Sequence, residues 1–546
     1  MTRHARCGFQ WKLGLWPAIL GMSMLVVFSQ AAWAGAPPFK NFASYLTWMQ
    51  KNHKAPFDRD GAVMPRGGPQ KLMSEQAAAQ AARAAAAAAA STYHNVKVNQ
   101  DRNPWPKAEV AAAIDPRTGN WVVMTNDFRR NYDQMFFHVS TNGGKAWTDD
   151  AMVGGSDPYT GYIPSTFQSD PGVAFDHSGN STLSTITGNL IFDGFNGYEN
   201  SDTEIDIAQG FADGTYASLL PTPIDVQPCN GTFTGTFTCD ATLDKPFVTM
   251  DGNPASPHYG SIYVYYTLFC NGPTSGVCTD GSASIPSFTS AIVESHSAGA
   301  GLPFSAPALV SGTRLNTQFS SMVIDAGGTP HVFFDDFTNP GVVDMWESTL
   351  SGSSWVVSAA PAVTFVYNGL RNLNWSFRDA GAEAPGCSIY ETTAYCAFSA
   401  NQVGSGKAEA TPSVYLATIP VHGGGPAIRV VRVNDDAFNG QKDHFFAWAT
   451  ATPSGAVYVG WYDDRRDPFN TKVDYFVGKS IDGGKTFPMQ QPVNDVSFNP
   501  CTGFPGCGFF GDYTQLVSGA DGSVHAAWSD TRDAASMQIW SQVVGF

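Results

Sequence analysis

The chain has 546 residues and a formal net charge of −16, with 47 acidic against 31 basic side chains. A surplus of that sign repels phosphate backbones and anionic lipid, which argues against nucleic acid or a membrane surface as partner. With 55 Gly, 35 Pro and only 14% charged residues against 13% aromatics, the composition is that of a turn-rich β protein with a large core, not of a disordered chain.

At the start, Arg3, Arg6 and Lys12 lead into an apolar stretch from Leu13 to Phe28, followed by Ala32-Trp33-Ala34-Gly35. A basic head, an apolar middle and a small-x-small end describe a secretory signal peptide over 1–34, cut after Ala34. An uncleaved membrane anchor is the alternative, because the apolar stretch approaches spanning length. Cleavage removes three basic residues and leaves no later apolar run of that length. A secreted or periplasmic protein without a further membrane span is therefore expected. Residues 35–100 read as an N-terminal extension. Within it, Ser74 to Ala90 is almost pure alanine, which with Ser74 as a cap predicts a helical spacer.

Cysteine usage points to the same compartment. Beyond Cys7 in the leader, eight cysteines fall into close pairs: Cys229 with Cys239, Cys270 with Cys278, Cys387 with Cys396, and Cys501 with Cys507. Local disulfides across short loops suit an oxidising environment. Sequence alone leaves the connectivity open. None of the pairs has the two-residue spacing of a zinc site.

From residue 101 to 546 the texture is one of short β-branched and aromatic runs separated by Gly, Pro, Asn and Asp, which predicts consecutive strands and turns. One repeat is explicit: the segment 120–130 and the segment 456–466 both end in an acidic and twin-Arg cluster. Each is followed by a second strand and then by a matching turn, Ser140-Thr-Asn-Gly-Gly-Lys-Ala-Trp147 or Ser480-Ile-Asp-Gly-Gly-Lys-Thr-Phe487. Five further segments resemble the strand before the cluster: 181–192, 261–269, 330–336, 393–400 and 523–530. Most are preceded by an inner-strand candidate (108–114, 171–175, 246–250, 319–324, 444–449 and 513–517). Seven such copies predict an all-β, seven-bladed propeller. Six blades is the alternative, with the irregular copy at Thr393 as an insertion.

The pattern Ser-x-Asp-x-Gly-x-x-aromatic has a physical basis. Ser and Asp side chains bond the backbone of their own turn, Gly supplies positive φ, and the aromatic pins the turn to the strands. Ser480, Asp482, Gly484 and Phe487 match it fully, while Ser140, Asn142, Gly144 and Trp147 match with Asn for Asp. These turns resemble the Asp-box, or bacterial neuraminidase repeat, of secreted sialidase-like propellers. Leu243-Asp-Lys-Pro-Phe, Gly511-Asp-Tyr-Thr-Gln-Leu and Trp528-Ser-Asp-Thr-Arg-Asp add to that resemblance. It implies that the Asp boxes are structural and lie on the face opposite the active site.

Strand direction then puts the starts of the inner strands, and the ends of the strands after them, on one functional face. Near the axis this collects Glu109, Asp170, Asp244, Lys245, Asp443, Asp512 and Tyr513; on its loops come Asp127, Arg129, Arg130, Asp335, Asp336, Asp463, Arg465, Arg466, Asp530 and Arg532. Asp-x-Arg at a strand end also has a structural reading, as an ion pair between adjacent blades. The resemblance implies a glycan-directed hydrolase of the sialidase type, with Tyr513 as nucleophile, Arg466 and Arg532 pairing a substrate carboxylate, and Asp512 beside the tyrosine. Two departures stand out: Gly161-Tyr-Ile-Pro164 lacks the arginine of the family's Arg-Ile-Pro, and Glu391 and Glu383 are the only glutamates considered as partners of Tyr513. A non-catalytic carbohydrate- or protein-binding propeller is the alternative. The expected partner is a glycan or cell-surface ligand, and the expected state a monomer. No cofactor is required, although the oxygen-rich segment Asp193 to Asp206 suits Ca2+.

Overall fold

A computed structural model describes residues 93–546, except 102–104, 130–132, 153–165, 193–197, 201, 211–221, 229–239, 272–274, 371–374, 376, 378–383, 422–424, 439–440, 505–506 and 534–535. The leader, the alanine-rich spacer, the 161–164 motif, Arg130, Glu383, the Cys229 and Cys239 pair and the first part of the 193–206 segment thus lie outside the described residues. No α-helix occurs among the described residues.

The strands form seven successive antiparallel units of at least four; unit two carries one further strand, unit four two, and a separate two-stranded hairpin follows the second strand of unit three. Their first strands are Lys107–Ile114, Thr166–Phe175, Ala241–Met250, Thr317–Ile324, Gly386–Tyr390, His444–Ala451 and Gln515–Ser518. All seven segments expected to resemble one another, the Thr393 copy included, are second strands of these units. Only the first strand Gly386–Tyr390 escaped the sequence pattern. Units five and six join in one eight-stranded sheet through a parallel bridge between Gly386 and Trp448. The backbones approach so closely there that a Cβ on Gly386 would lie 2.6 Å from Trp448 Cα. Unit seven takes its outer strand from the beginning of the described chain, Val96–Lys97, which pairs with Gln538–Val544. Each first strand packs beside the first strand of the next unit, and that of unit seven packs beside that of unit one.

The core follows from this arrangement. Seven apolar clusters lie between consecutive units, the last between units seven and one. The second strands therefore bury both their faces. In the second strand of unit six, Val457, Val459 and Trp461 face unit five, whereas Tyr458 and Tyr462 face unit seven. A strand covered on both sides reads as a nearly continuous apolar run, as Val457–Asp463 does.

Turns fix the lengths. Six of the seven units turn from the first to the second strand through a glycine of positive φ: Gly119, Gly179, Gly260, Gly328, Gly455 and Gly522. In four of these an aspartate at the strand end accepts an amide of the turn, as Asp325 does from Gly327 at 2.8 Å. The turns 140–147 and 480–487 share one geometry. Gly144 N and Gly484 N donate to Ser140 Oγ (2.8 Å) and Ser480 Oγ (3.0 Å), and those serines donate to Asn142 Oδ1 and Asp482 Oδ1. Trp147 and Phe487 are buried beneath them. Cys270–Cys278, Cys387–Cys396 and Cys501–Cys507 are disulfides, three of the four expected pairs, and they fit an oxidising compartment.

Candidate functional site

Five first strands carry the same irregularity near their starts. Pairing slips between Ala108 and Val110, Ser169 and Gly172, Asp244 and Phe247, Gln318 and Ser320, and Phe445 and Trp448. In each slip one residue is left-handed: Glu109, Asp170, Lys245, Phe319 and Phe446, with φ between 52° and 56°. A β-bulge re-aims a side chain, here at about 1–2 kcal/mol of backbone strain per non-glycine residue. Recurrence in five units marks the bulge as part of the architecture, and the residue type at it decides what the site becomes.

In units one to three the bulge residues are ionisable and meet. Lys245 Nζ lies 2.7 Å from Asp512 Oδ2, 3.2 Å from Asp170 Oδ2 and 3.3 Å from Glu109 Oε1. It sits 5.6 Å from the centre of the Tyr513 ring. Asn126 links the first two units, since its Nδ2 donates to Glu109 Oε2 at 2.8 Å and its Oδ1 accepts from Asp170 N at 3.0 Å. Gln318 Nε2 donates to Asp244 Oδ2 at 2.8 Å. Tyr513 Oη donates to Pro171 O at 3.4 Å, and its ring meets Phe247 edge-on at 5.2 Å. All of these side chains are buried.

Burial sets the protonation of the cluster, and Lys245 redistributes it. Desolvation drives the Glu109 and Asp244 carboxyls well above the usual range, with Lys245 only partly opposing. At Asp170 burial also acts upward, but the Lys245 ammonium and hydrogen bonds from Glu109, Asp244 and Lys245 prevail and lower it to about 2. Burial disfavours the Lys245 ammonium, yet Asp170, Asp512, Glu109 and Asp244 hold it well above an ordinary lysine. Tyr513 is raised by burial and then by Glu109, Asp170, Asp512 and Asp133. Burial and Lys245 thus push the carboxyls of one cluster in opposite directions, Glu109 and Asp244 up and Asp170 down, the divergence that separates an acid from a base or nucleophile.

The structure brings together Asp512 and Tyr513 of the expected site residues, and it places Arg466 and Arg532 elsewhere. Arg532 is held by its own Asp530 (Nε–Oδ2 3.0 Å), by Asp495 after the outer strand of unit six, and by the face of Trp540 at 4.0 Å. Arg129 repeats this with Asp127, Asp101 and Phe136, and Arg465 with Asp463, Asp435 and Phe476. In unit four Thr338 replaces the arginine, and Arg314 arrives from another loop to reach Asp336 (3.5 Å) and the Trp346 face (3.7 Å). The same clasp in four units is a joint between neighbours. Arg466 is 38% exposed and pairs with Asp474 at 3.4 Å. Neither Arg466 nor Arg532 bonds to Tyr513 among the described residues.

The glutamate beside Tyr513 is Glu109, from the other end of the sequence. Glu391 sits at the exposed tip of the first hairpin of unit five, at the opposite end of the strands. The signal was available in Lys107-Ala-Glu-Val-Ala-Ala-Ala-Ile114, where a lone carboxylate interrupts an apolar strand. Gly511, at φ 96°, makes the contact possible, since a Cβ there would lie 3.2 Å from Glu109 N and 3.3 Å from its Cγ. Asp443 does not join the cluster; its amide donates to Asp464 Oδ1 at 3.0 Å. The second half of the proposed calcium segment is a strand, Asp202–Gly210. Among the described residues no group of three or more His, Cys, Asp or Glu is arranged to hold a metal ion.

No protein-family model matches the chain, and no curated protein matches it. Among solved structures, it is similar to a protein of unknown function from Dyadobacter fermentans (12% identity, 68% of this chain and 94% of that one, TM-score 0.40). It is also similar to the intramolecular trans-sialidase from Ruminococcus gnavus (11%, 83% and 97%, TM-score 0.38) and to the alpha-L-arabinanase of Penicillium chrysogenum (10%, 83% and 98%, TM-score 0.40). Likeness at this level assigns neither a substrate nor a site.

Proposed function

We propose that this chain is an exported, sialidase-like Asp-box propeller of seven blades that acts on glycans, with hydrolysis at the cluster around Tyr513 as its activity. Closure is supported by the cyclic packing of the seven first strands and by the outer strand that residues 96–97 lend to the last unit. The observation that carries the activity is the meeting of Tyr513 with Glu109, Asp170 and Asp512. In the sialidase scheme a tyrosine attacks the sugar while a glutamate takes its proton; Glu109 is the glutamate of this cluster, and it serves as base in its ionised form, which Lys245 at 3.3 Å favours against burial. Arg532 is given to the joint between blades, which leaves Arg466, 38% exposed although paired with Asp474, as the arginine to face an anionic sugar.

The test is turnover of a panel of sialosides, arabinosides and other glycosides by the purified protein. Tyr513→Phe is expected to abolish the activity and to leave the fold intact. Unchanged turnover in that variant would remove Tyr513 from the chemistry.

One observation favours a binding role instead. Lys245 already neutralises the carboxylates, and no arginine among the described residues stands beside Tyr513. On that reading the cluster is the structural hub of a carbohydrate- or protein-binding propeller. A glycan array showing binding without turnover would select it.

A further inference from the structure

The two box turns differ at one position that carries chemistry. Where the second has Asp482, the first has Asn142, followed by Gly143. An amide nitrogen can attack the side-chain amide that precedes it, and glycine leaves that nitrogen least hindered. Asn142 is exposed, and its Oδ1 accepts hydrogen bonds from Ser140 Oγ (3.0 Å) and Ala146 N (2.9 Å). Among the described residues neither Asn142 Nδ2 nor Gly143 N is engaged in a hydrogen bond. Two donors therefore point at the oxygen that turns negative when Cγ is attacked, which is the geometry that stabilises a tetrahedral oxyanion. The product would also suit the turn: Asp482 Oδ1 accepts from Ser480 Oγ, Lys485 N and Thr486 N, and these bonds hold its carboxyl below the usual range.

We propose that Asn142 is a self-modification site, converted to aspartate through a succinimide closed by Gly143. Gly143 N gives up its proton and bonds to Asn142 Cγ; the Cγ–Nδ2 bond breaks, and Nδ2 leaves as ammonia after gaining a proton. Water then opens the ring, restoring the Gly143 N–H and leaving a carboxylate. The first turn, encoded with Asn, matures to the Ser-x-Asp-x-Gly form that the second encodes directly.

The experiment incubates the full chain at mildly alkaline pH, folded and in concentrated urea, and follows the Asn142 peptide by mass spectrometry. Asn368, before Gly369, is an internal reference. It is also exposed, but its side-chain amide makes no hydrogen bond among the described residues. The expected result is conversion at Asn142 severalfold faster in the folded chain than in urea, faster than at Asn368 in the folded chain, and with aspartate exceeding isoaspartate. A folded-state rate equal to or below that in urea overturns the proposal. Ser140→Ala removes one donor to Oδ1 and should slow conversion in the folded state alone; an unchanged folded rate would overturn the role given to the turn. Gly143→Ala should slow conversion in both states.

Discussion

The two ends of the antiparallel units use carboxylates in opposite ways. At the turn 480–487 Asp482 stands in solvent, its oxygens bonded by hydroxyls and backbone amides, and those bonds draw its pKa down. At the starts of the first strands Glu109 and Asp244 are buried against one another's neighbours, and desolvation drives them up despite Lys245. A carboxylate is a structural anchor where water and N–H groups share its charge. It becomes a chemically poised group where they do not.

The variant expected to cost most is Lys245→Met, which leaves Asp170 and Asp512 buried without their cation. Stripping one partner from such a pair costs about 3–5 kcal/mol, to be measured by urea unfolding near neutral pH. The pH dependence gives the sharper check. Asp170, depressed to about 2, contributes stability that is present above its unfolded value of about 3.9 and is lost as pH falls through 2. Lys245, raised, contributes stability that is full below about 10.4 and is lost as pH rises through its folded value. Removal of Lys245 should weaken the alkaline limb, to which the raised buried tyrosines also contribute, and narrow the deficit in acid, where the carboxyls take up protons. An unaltered alkaline limb would mean that Lys245 does not organise this end.

Arg532→Ala tests whether the joint between units outweighs any role at the site. It uncovers the fully buried Asp530, and a loss of about 3 kcal/mol is expected in the same assay. Gly511→Ala should cost about 1–3 kcal/mol by forcing a side chain into positive φ against Glu109, and it should alter the Tyr513 titration followed by ultraviolet absorbance. Arg466→Ala removes a 38%-exposed partner of the buried Asp474, which Asn494 and Ser497 also bond, and should change stability by no more than about 1 kcal/mol. Equal effects at Arg466 and Arg532 would erase the distinction drawn between them.

Much of the architecture is legible in the sequence because it rests on local rules. Positive-φ glycines, self-bonding Ser and Asp side chains and strands apolar on both faces are written into 140–147, 480–487 and 457–463 residue by residue. The hairpin glycines Gly119, Gly179, Gly260, Gly328, Gly455 and Gly522 are an additional periodic signal that the strand comparison passed over. They would have located the units independently.

What the sequence by itself determined is the set of strands, their direction and the face on which acidic and basic residues gather. Only the tertiary structure decided which of those residues touch. Units seven and one pack side by side, so Tyr513 and the bulge residue Glu109, at opposite ends of the described chain, come together; the sequence alone offered Glu391 and Glu383 instead. It also decided that Arg532 belongs to a joint, because Asp495, which completes its clasp, comes from the preceding unit. The physical reason is the same in both cases: backbone hydrogen bonds and turn preferences act over a few residues, whereas burial and ion pairing depend on neighbours supplied by the closing of the whole chain.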